Sequence, residues 1–215
     1  MARTSNQILT RLGYELKDPT FTNWTKDELL TYLNEAIRAL TQRIASTHPE
    51  YWLNSGQTYT ASSNIVANTA NYDLATDFYA MVQVQLTDSD GNVEIVQPID
   101  VERQADTDAA GYMLINSDIY LYPTPDTSVT SGLKLYYVAM PADVTVSSTT
   151  VPLSTHFEDV LDLYVVLKAK ARQEETVANF SAFYQKAQST ADMLVAQTNK
   201  SEGDAGMRSA FRLWI

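Results

Sequence analysis

Apolar residues recur at spacings of three and four in two stretches that hold neither glycine nor proline, Thr20–His48 and Leu153–Glu202. Such stretches let helices persist. In the first, Thr25-Lys-Asp-Glu28 has the form of a capping box, with Thr25 accepting from a first-turn amide and Glu28 reaching back. Leu29, Leu33, Ile37 (or Ala36), Leu40 and Ile44 then form one buried stripe, and His48-Pro49 ends it. A shorter helix is expected over Asn6–Leu12, capped by Ser5 and stopped near Gly13, with Ile8, Leu9 and Leu12 on one face. The second long stretch opens at Thr155-His-Phe-Glu158, a second capping-box pattern. Its stripe is Phe157, Val160, Leu161, Tyr164, Leu167 and Ala171, interrupted at Gln173–Thr176. Val177, Phe180, Tyr184, Ala187, Ala191 and Leu194 resume it. This predicts two helices, or one bent helix, joined near Thr176.

Nearly all remaining glycine and proline lies between Gly56 and Pro152, where the periodicity changes to two. Asn71–Leu74 and Met81–Leu86 alternate in sidedness, and Asp90-Gly91 is a hairpin turn into Asn92–Val96. Met113–Ile115 and Ile119–Tyr122 flank a tight turn at Asn116–Asp118. Leu133–Val138 is another strand, and Pro123 and Pro125 close the one before it. The fold class is therefore α+β: a helical bundle or hairpin domain with an inserted, mostly antiparallel β-domain of roughly six strands. The expected divisions are residues 1–56, helical; 57–151, β; 152–200, helices completing the first domain; and 201–215, an extended C-terminal tail.

Charge refines this division. The chain has 215 residues and a net charge of −11, and twelve acidic residues between Gln57 and Val151 face only Arg103 and Lys134. A tight nucleic-acid binder needs clustered Lys and Arg, so the middle of the chain could border DNA without gripping it. There are no cysteines, which removes disulfides and thiol chemistry and fits assembly in a reducing cytoplasm. No apolar leader follows Met1, and no run approaches the ~20 apolar residues of a membrane helix. A soluble, non-membrane protein is expected.

Candidate chemistry is thin. His48 and His156 each sit beside a helix boundary and do not form a zinc spacing. Glu158, Asp159 and Asp162 cluster as glycosidase carboxylates do, but they lie in the first turns of a predicted helix, where its dipole favours acids. Asp88-Ser-Asp-Gly-Asn92 lacks calcium-loop spacing and a later glutamate, and a hairpin turn explains it. Phosphate-loop, nucleophile-elbow and dinucleotide motifs are absent from the sequence. The sequons at Asn23 and Asn179 carry no meaning in a cytoplasmic protein. The reading is of a non-enzyme with no catalytic residue, metal or cofactor. Tyr120, Tyr122, Tyr136 and Tyr137 raise a glycan-binding alternative, although tyrosine's strand propensity explains them more simply.

The end of the chain differs from the rest. Lys200–Gly206 reads as a flexible polar lead into Met207-Arg-Ser-Ala-Phe-Arg-Leu-Trp-Ile215. The segment either folds back on its own core or docks on a partner through Met207, Arg208, Phe211, Arg212, Leu213, Trp214 and Ile215. Trp and Arg are residue types enriched in binding hot spots.

Four stretches, in this order, carry a family resemblance: Trp24-Thr-Lys-Asp-Glu-Leu-Leu-Thr-Tyr-Leu-Asn-Glu-Ala36; Tyr72-Asp-Leu-Ala-Thr-Asp-Phe78; Ile119–Pro125 followed by Leu135–Pro141; and Val151-Pro-Leu-Ser-Thr-His-Phe-Glu-Asp-Val-Leu161. They resemble the head–tail adaptor (connector) proteins of tailed bacteriophages, with Ala75 and Ser154 departing from the usual turn residues. The resemblance implies a virion protein of the neck, assembled in the host cytoplasm as a ring of twelve copies beneath the portal protein. A tail tube, nozzle or stopper protein would lie below, and double-stranded DNA would pass through the channel without specific binding. It also gives the C-terminal segment a partner, the portal. A stopper or tail-completion protein is the runner-up.

Overall fold

A computed structural model describes residues 3–48, 59–99, 110–146, 149–174 and 179–211, with side chains described except at 59–60 and 197–211. It is α+β. The chain divides into two compact units, Met1–Tyr51 with Pro141–Ile215, and Trp52–Met140.

The first unit contains α1 (Ser5–Glu15), α2 (Lys26–Thr47), α3 (Glu158–Gln173) and α4 (Ser181–Phe211). Helix α1 differs from expectation at both ends. Thr4 is its N-cap, in a full capping box with Gln7, and Ser5 lies buried one residue inside. Gly13 is inside the helix, which ends when Lys17 turns left-handed at φ 57°. The first polar residue of a Thr-Ser-Asn run thus wins the cap, because Gln7 is correctly placed only for Thr4. In α2, Thr25 caps by accepting from the Glu28 amide at 3.2 Å. Glu28 does not reach back; its carboxylate takes the Tyr32 hydroxyl at 2.9 Å and pairs with Arg172. Likewise Thr155 is not a cap: Thr155–Phe157 is a 3-10 turn capped by Ser154, and Glu158 faces Arg3 and Arg11.

The helical core follows the predicted stripes in α1 and α2, but α3 buries Val165 and Ala169 where Leu167 and Ala171 were expected. In α4 the buried aromatic is Phe183, with Tyr184 exposed. Ile8, Leu9, Leu12, Leu29, Leu33, Ile37, Leu40, Phe157, Val160, Leu161 and Phe183 are essentially inaccessible. At about 1.5–3 kcal/mol for each large apolar side chain removed from water, this burial drives the helices together. Helix α3 runs antiparallel to α2, since Lys168 meets Glu35 at 2.6 Å while Arg172 meets Glu28 one turn further on. Helix α4 runs parallel to α2: Arg43 bonds Gln188 at 2.7 Å, and His48, the C-cap of α2, bonds Asp192 at 2.5 Å. Tyr164 of α3 joins them, stacked on Phe180 at 4.6 Å and edge-on to Phe183 at 5.0 Å.

The second unit is a curled seven-stranded sheet: β1 (Tyr59–Ile65), β2 (Asn71–Asp73), β3 (Phe78–Thr87), β4 (Val93–Pro98), β5 (Gly111–Ile115), β6 (Asp118–Tyr122) and β7 (Val129–Ala139). Their order is β1-β7-β3-β4-β5-β6-β2, antiparallel throughout except for β4 with β5. Strand β1 escapes the sequence reading because Tyr-Thr-Ala-Ser-Ser-Asn-Ile is polar at most positions. Among the described residues it is an edge strand paired with β7, and of its described side chains Ile65 alone is deeply buried. Val84, Val96, Tyr112, Ile119, Leu121, Leu133, Leu135 and Tyr137 form the core inside the curl.

Candidate assembly surfaces

Several residues of the stretches that carry the family resemblance turn inward and build the frame. Trp24 is buried, with the Arg172 guanidinium 5.3 Å from the centre of its ring. The same arginine pairs with Glu28, so Trp24, Glu28 and Tyr32 together hold the C-terminal end of α3. Asn34 is buried and clamps the backbone of Val144 from both sides, donating to its carbonyl at 3.1 Å and accepting from its amide at 2.9 Å. This ties the segment after β7 to α2, an arrangement that helix periodicity alone could not disclose. Asp18 was equally invisible. Its carboxylate accepts from the amides of Thr22, Asn23 and Trp24 at 2.7–2.9 Å and shapes the turn into α2. Burial pushes its pKa up, but these amides outweigh that and leave it below the usual carboxylate value.

In the β unit, the Tyr72 hydroxyl accepts from the Val66 amide at 3.1 Å and donates to the Thr69 carbonyl at 3.0 Å. Asp77 receives the Tyr137 hydroxyl at 3.2 Å, and Phe78 packs against the Tyr137 ring. The tyrosines considered for glycan contact are therefore not an exposed row. Tyr137 is buried, Tyr120 and Tyr122 are half-buried, and Tyr136 lies beneath Lys134. The Asp88–Asn92 loop is a hairpin turn. Asp88 Oδ1 accepts from the Asp90 and Asn92 amides, Oδ2 accepts from the Asn92 side chain, and Gly91 has φ +87°. Hydrogen bonds from Asn92 lower the Asp88 pKa. Among the described residues, no three His, Asp or Glu side chains converge as a metal site.

The carboxylates of α3 belong to an internal ion-pair network. Glu158 meets Arg3 at 3.1 Å and Arg11 at 3.7 Å, and Arg11 also pairs with Asp162. Asp162 is pushed up to about 6, first by burial, with Arg11 opposing and Glu15 and Asp159 adding to it. Its Oδ1 has no hydrogen-bond partner. His48 links α2 to α4 as described, and His156 stands exposed in the 3-10 turn.

Among the described side chains, apolar ones also remain outward. Val93 and Ile95 of β4 are 60% and 54% exposed, and Leu114 and Ile115 of β5 are also open. Where a flexible lead was expected from Lys200, the backbone stays helical through Gly203 and Gly206 to Phe211. Met207, Arg208 and Phe211 thus stand on the last turns of α4, while Arg212, Leu213, Trp214 and Ile215 lie outside the described residues. At the end of the sheet marked by the Asp88 turn, a cavity of about 400 Å³ opens among Ile65, Leu86, Val129, Asp88, Glu94 and Asp126. Among the described residues, no helix is long and apolar enough to cross a membrane.

The class this defines is structural: its marked residues maintain its own frame, and exposed apolar side chains stand on β4 and β5. The chain belongs to the SU10 adaptor protein family, whose pattern matches residues 3–210, and which is a family of phage head–tail adaptors. It is accordingly a phage adaptor protein and a virion component. Comparison with curated proteins gives no match.

Proposed function

We propose that this adaptor assembles as a ring of twelve copies beneath the portal, joins it to the tail and lets the genome pass through its channel. The supporting observation is the family match over residues 3–210, nearly the whole chain. Repetition of one heterologous contact closes into a ring when the rotation closes. The C-terminal segment is the portal anchor. Of its residues Met207, Arg208, Phe211, Arg212, Leu213, Trp214 and Ile215, the first three lie at the end of a helix of 31 residues, about 46 Å long at 1.5 Å per residue, and the other four follow it in sequence. The β unit, poor in cations, would repel DNA where it borders the channel and keep the genome from sticking.

Mass photometry of the protein with its cognate portal ring tests this. About twelve copies should add to each portal, and a chain lacking 207–215 should fail to add. If the full-length protein ignores the portal, a stopper or tail-completion role takes the place of this reading. The repulsion is tested by neutralising Asp73, Asp90 and Asp126, exposed acids that do not support a neighbouring strand as Asp77 does, and timing genome ejection. Unchanged kinetics would remove it.

A further inference from the structure

The cavity at the Asp88 end of the sheet has an apolar floor and an acidic rim. Ile65, Leu86 and Val129 form the floor, and the charged side chains of its lining are all acids: Asp88, Glu94 and Asp126. Asp88 is occupied by its own loop. Glu94 and Asp126 are exposed and pair with no cation among the described residues. At about 400 Å³ the cavity is large enough for one aromatic or branched side chain with part of its backbone. Its chemistry asks for a peptide with an apolar tip and flanking positive charge.

One segment of this chain has that composition. Met207–Ile215 holds Arg208 and Arg212, no acidic side chain, and Phe211, Leu213, Trp214 and Ile215. The cations near the other end of the chain, Arg3 and Arg11, are already paired with Glu158 and Asp162. The arm also has reach. Helix α4 passes the last residues of α2 where His48 meets Asp192 and continues to Phe211, about 28 Å of helix at 1.5 Å per residue. We infer that the Glu94–Asp126 cavity receives the Met207–Ile215 segment of a second copy of this chain before a portal is present. The contact is heterologous, tail to cavity, so each one formed leaves a free cavity on the copy that gives its tail and a free tail on the copy that receives it, and further copies can add. It also shields an apolar terminus that would otherwise be adhesive. A portal would displace the segment.

The experiment needs no portal, so its failure leaves the portal reading intact. Sedimentation velocity of the full-length protein over a range of concentrations is compared with Glu94→Lys/Asp126→Lys and with Arg208→Glu/Arg212→Glu, all surface or terminal changes, with circular dichroism checking the fold. Wild type should self-associate, more weakly as salt rises. Each double variant alone should associate about tenfold more weakly, the size expected of two exposed ion pairs turned repulsive. Mixing the two should restore association through the reversed charges. A fluorescein-labelled 207–215 peptide should compete with wild-type association. Association indifferent to the rim reversal, or not recovered on mixing, would overturn the inference. So would a monomer in which Arg208→Glu/Arg212→Glu alone opens the cavity to the labelled peptide, since the tail would then occupy its own chain's cavity.

Discussion

Asn34 shows what a single polar residue does in a helix core. Its amide satisfies both the donor and the acceptor of Val144, so the chain leaving β7 needs no secondary structure there. Asn34→Ala should lower stability by about 1–3 kcal/mol in urea denaturation, because it strands a buried amide and carbonyl. Asp162 offers a different test. Its folded pKa of about 6 lies above the ordinary 3.8, so the folded state holds this proton more tightly than the unfolded chain. Its contribution is then most favourable below about pH 4 and is lost as pH rises through 6. Relative to Asp162→Asn, wild type should therefore be more stable at pH 4.5 than at pH 7. A flat difference between those pH values would show that the Arg11 pair fully offsets the burial. Neither role was legible in the sequence. In sequence Asn34 is one polar letter in a helix, and Asp162 is one more acid in a helix's first turns, because its partner Arg11 lies 151 positions away.

At the level of elements, periodicity located the stripes of α1 and α2 but shifted those of α3 and α4, where Val165 and Phe183 are buried in place of Leu167 and Tyr184, and the alternating runs located six of the seven strands. It failed where tertiary pairing outranks local pattern. Strand β1 is polar yet held by the β7 ladder, and two predicted capping boxes lose their glutamates to arginines on other elements. The distal part of α4 was missed for a related reason: Gly203 and Gly206 argue for a break, each disfavouring helix by about 1 kcal/mol relative to alanine. Replacing both with alanine should therefore raise the helical circular dichroism signal and the melting temperature of that segment. If it does neither, the segment's helicity depends on something other than intrinsic propensity. The same change should leave the sheet untouched.

The whole molecule is two units with separate cores, so a perturbation in one should stop at its border. Hydrogen exchange of Asn34→Ala is expected to quicken in α1, α2 and α3 while the amides of β3 and β7 keep their protection. Equal loss in both units would mean that they unfold as one cooperative body. The family was legible because its marker residues are frame residues such as Trp24, Tyr72 and Phe157, which must stay put for the fold to exist. The open apolar positions of the sheet were not, since Val93 and Ile95 look in sequence like any other strand residues.

The division of the chain also sets a timetable for synthesis. Residues 52–140 form their sheet from contiguous sequence, whereas the helical unit joins residues from both ends. As the ribosome delivers the chain from its N-terminus, α1 and α2 emerge first but wait without α3, their principal packing partner. The sheet can close while they wait. The helices then consolidate only as the last third of the polypeptide leaves the exit tunnel. The distal turns of α4 therefore follow α1, α2, α3 and the whole sheet in the order of synthesis, and a nascent chain cannot offer them to a neighbour before those elements have emerged.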